Sequence, residues 1–412
     1  MIVPSIDLQD SQAVQLIGGA EKALDAGDPR PLAQRYGIVG EIAVVDLDAA
    51  LGKGSNAAVI EGLLELAPCR VGGGIRDAAS AIAWLDRGAL KVVLGTAARP
   101  EVLRELPKGR LIAALDAFHG EVVVEGWQKR TGHGVLERIA ELRDLVGGFL
   151  VTFVEREGRL QGTDLAFAKE IRAAAGEADV TIAGGISTAA EIAELDCLGC
   201  DAQVGMALYT GRLGLAEAFA APVRSDRADG LWPSVVVDER GVALGLCYSD
   251  LESLRAALEQ GLGIYHSRSR GLWIKGATSG ASQELLRVDA DCDRDCLRFT
   301  VRQQPPGFCH LNTRTCWGPE GGLGALARRL ADRRILAPRG SYTARLLADP
   351  ALLGAKLREE AGELAEAEGS EVIHEAADVL YFTLATLARH DIDLAEVERA
   401  LDRRGLKVTR RE

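Results

Sequence analysis

Cys292, Cys296, Cys309 and Cys316 fall within 25 positions of a chain that has only eight cysteines in 412 residues. Between the first two, DADCDRDCLRF alternates carboxylates and thiols. As a strand it would set Asp291, Asp293 and Asp295 on one face and Cys292 and Cys296 on the other. Three like charges at i, i+2 and i+4 repel one another unless a cation or solvent offsets them, and a hard divalent ion prefers oxygen ligands. Thiolates suit zinc instead. Three protein ligands with an open fourth position make a catalytic zinc site, which generates hydroxide near neutral pH. A solvated acidic edge with buried thiols is the alternative reading of DxDxD alone, and Cys309-His310 and Cys316, which follow in CHLNTRTC, weigh against it.

Two more groups of carboxylates stand out. In AKLREEAGELAEA, Glu359, Glu360 and Glu363 adjoin on one helix face, and in HEAADVLYFTLATLA, Glu375 and Asp378 share a side with Phe382 among apolar residues. Carboxylates on a core-facing stripe are costly without a cation, whereas the first group alone would be an ordinary solvated face. Asp7 and Asp116 each end an apolar run. An Asp in that place is often a helix cap, but two of them at equal depth can act as an acid and a base on one substrate.

Elements able to position these groups are legible along the chain. Residues 1 to about 222 alternate short apolar runs (IVPSID, IAVVDLD, CRVGGG, KVVLG, LIAALD, FLVTF, VTIAGG, AQVGM) with Ala- and Leu-rich helical stretches, the pattern of a (β/α)8 TIM barrel. The pattern repeats. Asp7 to Asp116 spans 109 positions, Gly74 to Gly185 spans 111 and Gly95 to Gly205 spans 110, which implies two similar half-barrels. Reactive groups of such barrels sit at the C-terminal strand ends, and exposed backbone N–H groups at helix starts can hold phosphate. Two half-barrels with such loops suggest a substrate phosphorylated at both ends. VRSDRADG reads as a linker to a second, β-patterned domain at 229–318, and helical periodicity marks a third at 335–412.

The net charge of −12 argues against nucleic acid as a partner. No apolar run approaches the roughly 20 residues of a membrane span, and MIVPSIDLQD lacks a signal-peptide layout, so a cytoplasmic protein away from membranes is expected.

SIDLQD, VVDLDAALG, VGGGIRD, LGTAA, LDAFHGEVVVEGW and AGGIS resemble the ProFAR isomerase family, which rearranges an aminoaldose to an aminoketose. The resemblance implies that Asp7 is the general base, Asp116 the general acid and Thr152 a positioning residue. It also implies that Gly73, Gly74, Thr96, Gly184, Gly185 and Gly205 cradle two phosphates. Gln15 stands where that family commonly has Arg, and Phe153 where an acidic residue usually follows the Thr. These departures motivate a rival reading in which the barrel is a silent scaffold or dimerisation module.

SRSRGLWIKGATSG, DADCDRDC and CHLNTRTC resemble phosphoribosyl-AMP cyclohydrolase, a small α+β, β-rich domain. The implied zinc ligands are Cys292, Cys309 and Cys316, contributed by both chains of a homodimer, and the implied Mg²⁺ ligands are Asp291, Asp293 and Asp295. Arg268, Arg270, Lys275, Thr278 and Ser279 are candidates to hold a substrate phosphate. His310 is a candidate proton carrier, since Ile274 stands where the family often has His, and Cys296 is expected in the core. EExxE followed by ExxD, preceded by GSYTARLL, resembles phosphoribosyl-ATP pyrophosphohydrolase, an all-α relative of the MazG nucleotide pyrophosphatases. Glu359, Glu360, Glu363, Glu375 and Asp378 would then bind Mg²⁺, a general nucleotide pyrophosphatase being the alternative. The closing LKVTRRE looks like the stretch that leads into a further enzyme in fungal multifunctional histidine proteins. Together the resemblances imply three consecutive steps of histidine biosynthesis on small phosphoribosyl nucleotides.

Overall fold

The computed structural model of the chain describes residues 1–409 except 20, 125, 126 and 128. Parts of the motifs LDAFHGEVVVEGW and LKVTRRE therefore lie outside the described residues. Two compact units divide the chain, residues 1–238 with 246–305 and 406–412, and residues 239–245 with 306–405.

The eight apolar runs form strands β1 (Ile2–Gln9), β2 (Ile42–Asp46), β3 (Cys69–Gly72), β4 (Lys91–Leu94), β5 (Leu111–Phe118), β6 (Gly148–Phe153), β7 (Asp179–Ala183) and β8 (Asp201–Val204). Each pairs in parallel with the next, and β8 pairs back to β1, so the sheet closes into a barrel. Runs such as IAVVD lack a polar face because barrel strands are covered outside by helices and filled inside by side chains. Ile112, Leu150 and Ala183 meet in that filling, with Val93 and Ala114 against them.

The half-barrel repeat recurs in the geometry. Capping boxes at Asp77/Ser80 and Thr188/Glu191 start matching helices, Ala78–Asp86 and Ala189–Cys197. Just before them Gly73 and Gly184 hold φ of +93° and +97°, and a Cβ there would meet the Asp46 and Phe153 carbonyl oxygens at 2.2 and 2.5 Å. Asp46 and Phe153 thus occupy equivalent places. Only Asp46 carries a carboxylate, which caps the helix Leu47–Ala50 and accepts from the Asn56 side chain at 2.7 Å.

A six-stranded sheet follows, made of β9 (Trp232–Asp238), β10 (Ala243–Ser249), β11 (Ile264–Ser267), β12 (Gly271–Ile274), β13 (Gln283–Ala290) and β14 (Leu297–Gln303). Its spatial order is β12-β11-β10-β9-β14-β13, with one helix, α1 (Leu251–Gln260), inserted after β10. Residues 291–296 are not the strand that their alternation suggested. They form the hairpin loop between β13 and β14. The turn is built by Arg294, at φ +67°, and by the Asp291 carboxylate, which accepts the N–H groups of Asp295 and Cys296 at 3.0 and 3.1 Å.

The second unit is helical, with α2 (Gly322–Ile335), α3 (Tyr342–Ala348), α4 (Pro350–Glu366), α5 (Glu371–Arg389) and α6 (Leu394–Gly405). Leu330, Leu346, Leu353, Phe382, Leu384 and Ala385 form its core, so α2 brings the helical layer to a start ahead of residue 335. Among the described residues no helix is long and apolar enough to cross a membrane.

Candidate functional sites

Asp7 lies two residues before the end of β1, at the barrel mouth, and burial pushes its carboxyl up to about 7. The antiparallel strand Gln12–Ile17 turns back beside β1, with Val14 opposite Asp7, and brings Gln15 to the site. Gln15 is buried, and its amide nitrogen lies 3.5 Å from the Asp7 carboxylate and 3.0 Å from the Val14 carbonyl oxygen. A neutral amide leaves the desolvation of Asp7 unopposed, where an Arg would have favoured the anion. Asp116, on β5, stands in register with Thr152 on β6. Burial raises its carboxyl, and hydrogen bonds from Trp127 and Thr152 work the other way. The Trp127 ring lies where a Cβ on Gly19 would be, 2.3 Å from it.

Glu157 was not singled out by any motif. Burial first, then the charges of Asp7 and Asp116, push its carboxyl up to about 8. Two signals were available in the sequence, a second carboxylate in VEREG and the glycine after it. Gly158 fits because a Cβ there would come 2.6 Å from the Leu16 carbonyl oxygen. Among the described residues the mouth thus gathers three carboxyls that burial raises, Asp7 to about 7 and Glu157 to about 8. Phe153 is buried beneath Gly184. Gly73, Gly74, Thr96, Gly184, Gly185 and Gly205 all follow strands at this end, Thr96 being exposed. Gly205 opens the short helix Met206–Tyr209, and a Cβ on it would meet the Gln15 side-chain oxygen at 2.5 Å.

In the hairpin loop one carboxylate oxygen from each of Asp291, Asp293 and Asp295 lies within 4.8 Å of the others. The charge of Asp293 holds the Asp295 carboxyl above its ordinary value. Burial works to raise Asp291, but the N–H groups of Cys296 and Asp295 outweigh it and bring that carboxyl down. An all-oxygen, like-charged group of this kind fits a hard divalent cation. Cys292 is exposed in the same loop and Cys296 is half-buried. Cys309 and Cys316 belong to the second unit. N–H and hydroxyl donors at Leu311 and Thr313, together with the Cys316 thiol, hold the Cys309 thiol below its ordinary value. Two thiols in contact, one favoured as thiolate, fit a soft ion such as zinc. The exposed His310 ring has Nδ1 3.9 Å from the Cys309 sulfur.

Arg268 stacks on Tyr248 and Arg270 on Trp273, both Arg residues being exposed, as are Thr278 and Ser279, whereas Lys275 is buried. Sequence reasoning also missed a pair 16 residues apart, in which His266 Nδ1 lies 2.6 Å from the Asp250 carboxylate.

In the helical unit Glu360 and Glu363 on α4 and Glu375 on α5 bring carboxylate oxygens within 4.8 Å of one another. Burial, then the charges of Glu363 and Asp378, raise the Glu360 carboxyl. That donor set fits Mg²⁺. Glu359 instead points to Lys356, 2.9 Å away, which also comes within 3.7 Å of Glu360.

Three family models match successive stretches of the chain: Histidine biosynthesis protein over residues 1–214, Phosphoribosyl-AMP cyclohydrolase over 245–318 and Phosphoribosyl-ATP pyrophosphohydrolase over 323–405. An imidazole-4-carboxamide isomerase of Gemmatimonas aurantiaca is 38% identical over 236 residues, 53% of this chain and 99% of that protein. A histidine biosynthesis bifunctional protein of Schizosaccharomyces pombe is 50% identical over 201 residues, 48% of each chain. The histidine biosynthesis trifunctional protein of Saccharomyces cerevisiae is 49% identical over 200 residues, 48% of this chain and 25% of its own. The chain therefore spans about half the length of the first of these fungal relatives and a quarter of the second. With the first model covering more than half of its length, the chain belongs to the histidine biosynthesis protein family.

Proposed function

We propose that the chain carries out three consecutive steps of L-histidine biosynthesis. The helical unit hydrolyses phosphoribosyl-ATP to phosphoribosyl-AMP and pyrophosphate, the hairpin-loop domain opens the adenine ring to give ProFAR, and the barrel isomerises ProFAR to the aminoketose PRFAR. The observation that carries this reading is the succession of the three family matches on one chain, each over a stretch that gathers fitting side chains.

At the barrel mouth Asp116 gives a proton to the ribose ring oxygen as the bond to the anomeric carbon breaks, leaving an iminium. Asp7 removes the proton from the neighbouring carbon and forms an enolamine. The enol proton then returns to Asp116 while Asp7 protonates the former anomeric carbon, so both carboxyls end as they began. A base near pH 7 suits this exchange, and Thr152 holds Asp116 in place. The glycine loops at Gly73–Gly74 and Gly184–Gly185 precede helices whose N–H groups would donate to the two phosphates.

Cys292, Cys309 and Cys316, contributed by both chains of a homodimer, would hold zinc, and Asp291, Asp293 and Asp295 would hold Mg²⁺. Zinc supplies a water acidified enough to attack the adenine ring. Arg268, Arg270 and Lys275 would neutralise the substrate phosphate, and His310 would carry a proton. Glu360, Glu363, Glu375 and Asp378 would hold Mg²⁺, which offsets triphosphate charge and activates water, with Glu359 steadying Lys356 beside them. The setting we infer is the cytoplasm, with small phosphoribosyl nucleotides as substrates and neither nucleic acid nor membrane as partner. Separate assays of the full chain with phosphoribosyl-ATP, phosphoribosyl-AMP and ProFAR test the three steps. Turnover of all three is expected, and failure on ProFAR alone would favour the scaffold reading of the barrel.

A further inference from the structure

The loop that carries Asp291, Asp293 and Asp295 belongs to the sheet, yet the barrel holds it. Arg294 sits in its middle and donates from Nη1 to the Asp291 carbonyl oxygen at 3.0 Å, inside the loop, and from Nη2 to the Asp196 carboxylate at 3.2 Å. Asp196 lies in the last turn of the barrel helix Ala189–Cys197, and its side chain is only 13% exposed. The linker adds a backbone bond, Arg224 N–H to the Arg294 carbonyl oxygen at 2.7 Å. Cys197, Cys200, Arg224, Cys292, Asp293 and Arg294 line one open cleft of about 490 Å³. Asp196 and Cys200 flank the start of β8, so the loop docks on the end of the barrel opposite Asp7 and Asp116.

We propose that Arg294 is a positioning residue that ties this loop to the floor of the barrel, so that the barrel, besides its own chemistry, fixes the shape in which Cys292 and the three aspartates meet their cations. The inference rests on the proposed metal-binding role of the loop. Three carboxylates within 4.8 Å repel one another when no cation is bound, which works to splay a six-residue loop. A guanidinium reaching both the loop backbone and a largely buried carboxylate outside it opposes that splaying with charge-assisted bonds. A loop held in its binding shape loses less freedom when metal arrives.

The test uses the full chain with Arg294→Met, Arg294→Lys, Arg294→Gly and Asp196→Asn. In metal-free protein, amide hydrogen exchange at Asp295 and Cys296 should quicken about tenfold in the Met, Gly and Asn variants, all of which lose the partly buried ion pair between Arg294 and Asp196. In loaded protein, the KM for Mg²⁺ in ring opening should rise about tenfold with kcat within about twofold, Lys should recover part of the loss, and isomerisation should stay unchanged. Glycine accepts φ of +67° without strain, so exchange and Mg²⁺ dependence of Arg294→Gly equal to wild type would overturn the proposal and reduce Arg294 to a backbone role. A parallel loss of Tm, kcat and isomerisation in every variant would overturn it as well. If wild type ring opening shows no Mg²⁺ dependence, the metal reading of the loop falls, while the exchange comparison still decides whether the tether exists.

Discussion

The barrel mouth and the helical unit each gather three or more carboxyls, and the two sets are arranged for different work. At the mouth, Asp7, Asp116 and Glu157 come from separate places in the barrel, and burial is the largest influence raising all three. In the helical unit the oxygens of Glu360, Glu363 and Glu375 converge within 4.8 Å, with Lys356 and Asp378 close by. Desolvation spread over several carboxyls suits proton exchange near neutrality, whereas convergence on one point suits a cation. Residue type alone does not separate these roles. Spacing in the fold does.

The contrast breaks most readily at the mouth. Asp7→Asn and Asp116→Asn should each lower isomerisation by about 10²–10⁴-fold while pyrophosphate release and ring opening continue, as assays of the three steps on each variant will show. At the proposed Mg²⁺ site, Glu363→Gln with Asp378→Asn should cut pyrophosphate release by about 100-fold or more and leave isomerisation intact, with calorimetric Mg²⁺ binding lost there. Equal losses in both activities would mean that the two carboxyl sets do not act separately.

Acidity sharpens the comparison further. Asp7 at about 7 must lose its proton to act as base, so kcat/KM for isomerisation should climb as pH rises through about 7. Glu157, raised in the folded chain to about 8 from an ordinary 4.5, adds stability at low pH that is lost as pH climbs to its folded value. Denaturant titrations at pH 5 and pH 9 should therefore show wild type losing at least ~1 kcal/mol more than Glu157→Gln, after allowance for solvent screening. The smallest effect concerns the duplicated caps: Thr188→Ala and Asp77→Ala should each cost about 1 kcal/mol, and by similar amounts, because they occupy matching places.

Much of the barrel was legible because its eight strands are short apolar runs, most of them closed by glycine or aspartate and alternating with helical stretches. The placement of candidate groups was legible where they lie on one strand or one helix, as for Asp7, Asp116 and the Glu360–Glu363 pair. It was not legible where a turn decides. The period-two spacing of Asp291, Asp293 and Asp295 imitates a strand, while the left-handed Arg294 and the Asp291 cap make it a loop that still gathers the three carboxylates. Glu157 escaped notice because it sits beyond β6, in a turn whose path is set by Gly158 packing under Leu16. His266 and Asp250 met only through the sheet.

The central claim is that one chain takes phosphoribosyl-ATP through to the aminoketose. Mass-spectrometric analysis of products from the full chain with phosphoribosyl-ATP and Mg²⁺, wild type beside Asp7→Asn, tests it most directly. Wild type should yield PRFAR and the variant should stop at ProFAR. Accumulation of ProFAR by wild type, or formation of PRFAR by the variant at the wild-type rate, would contradict the account.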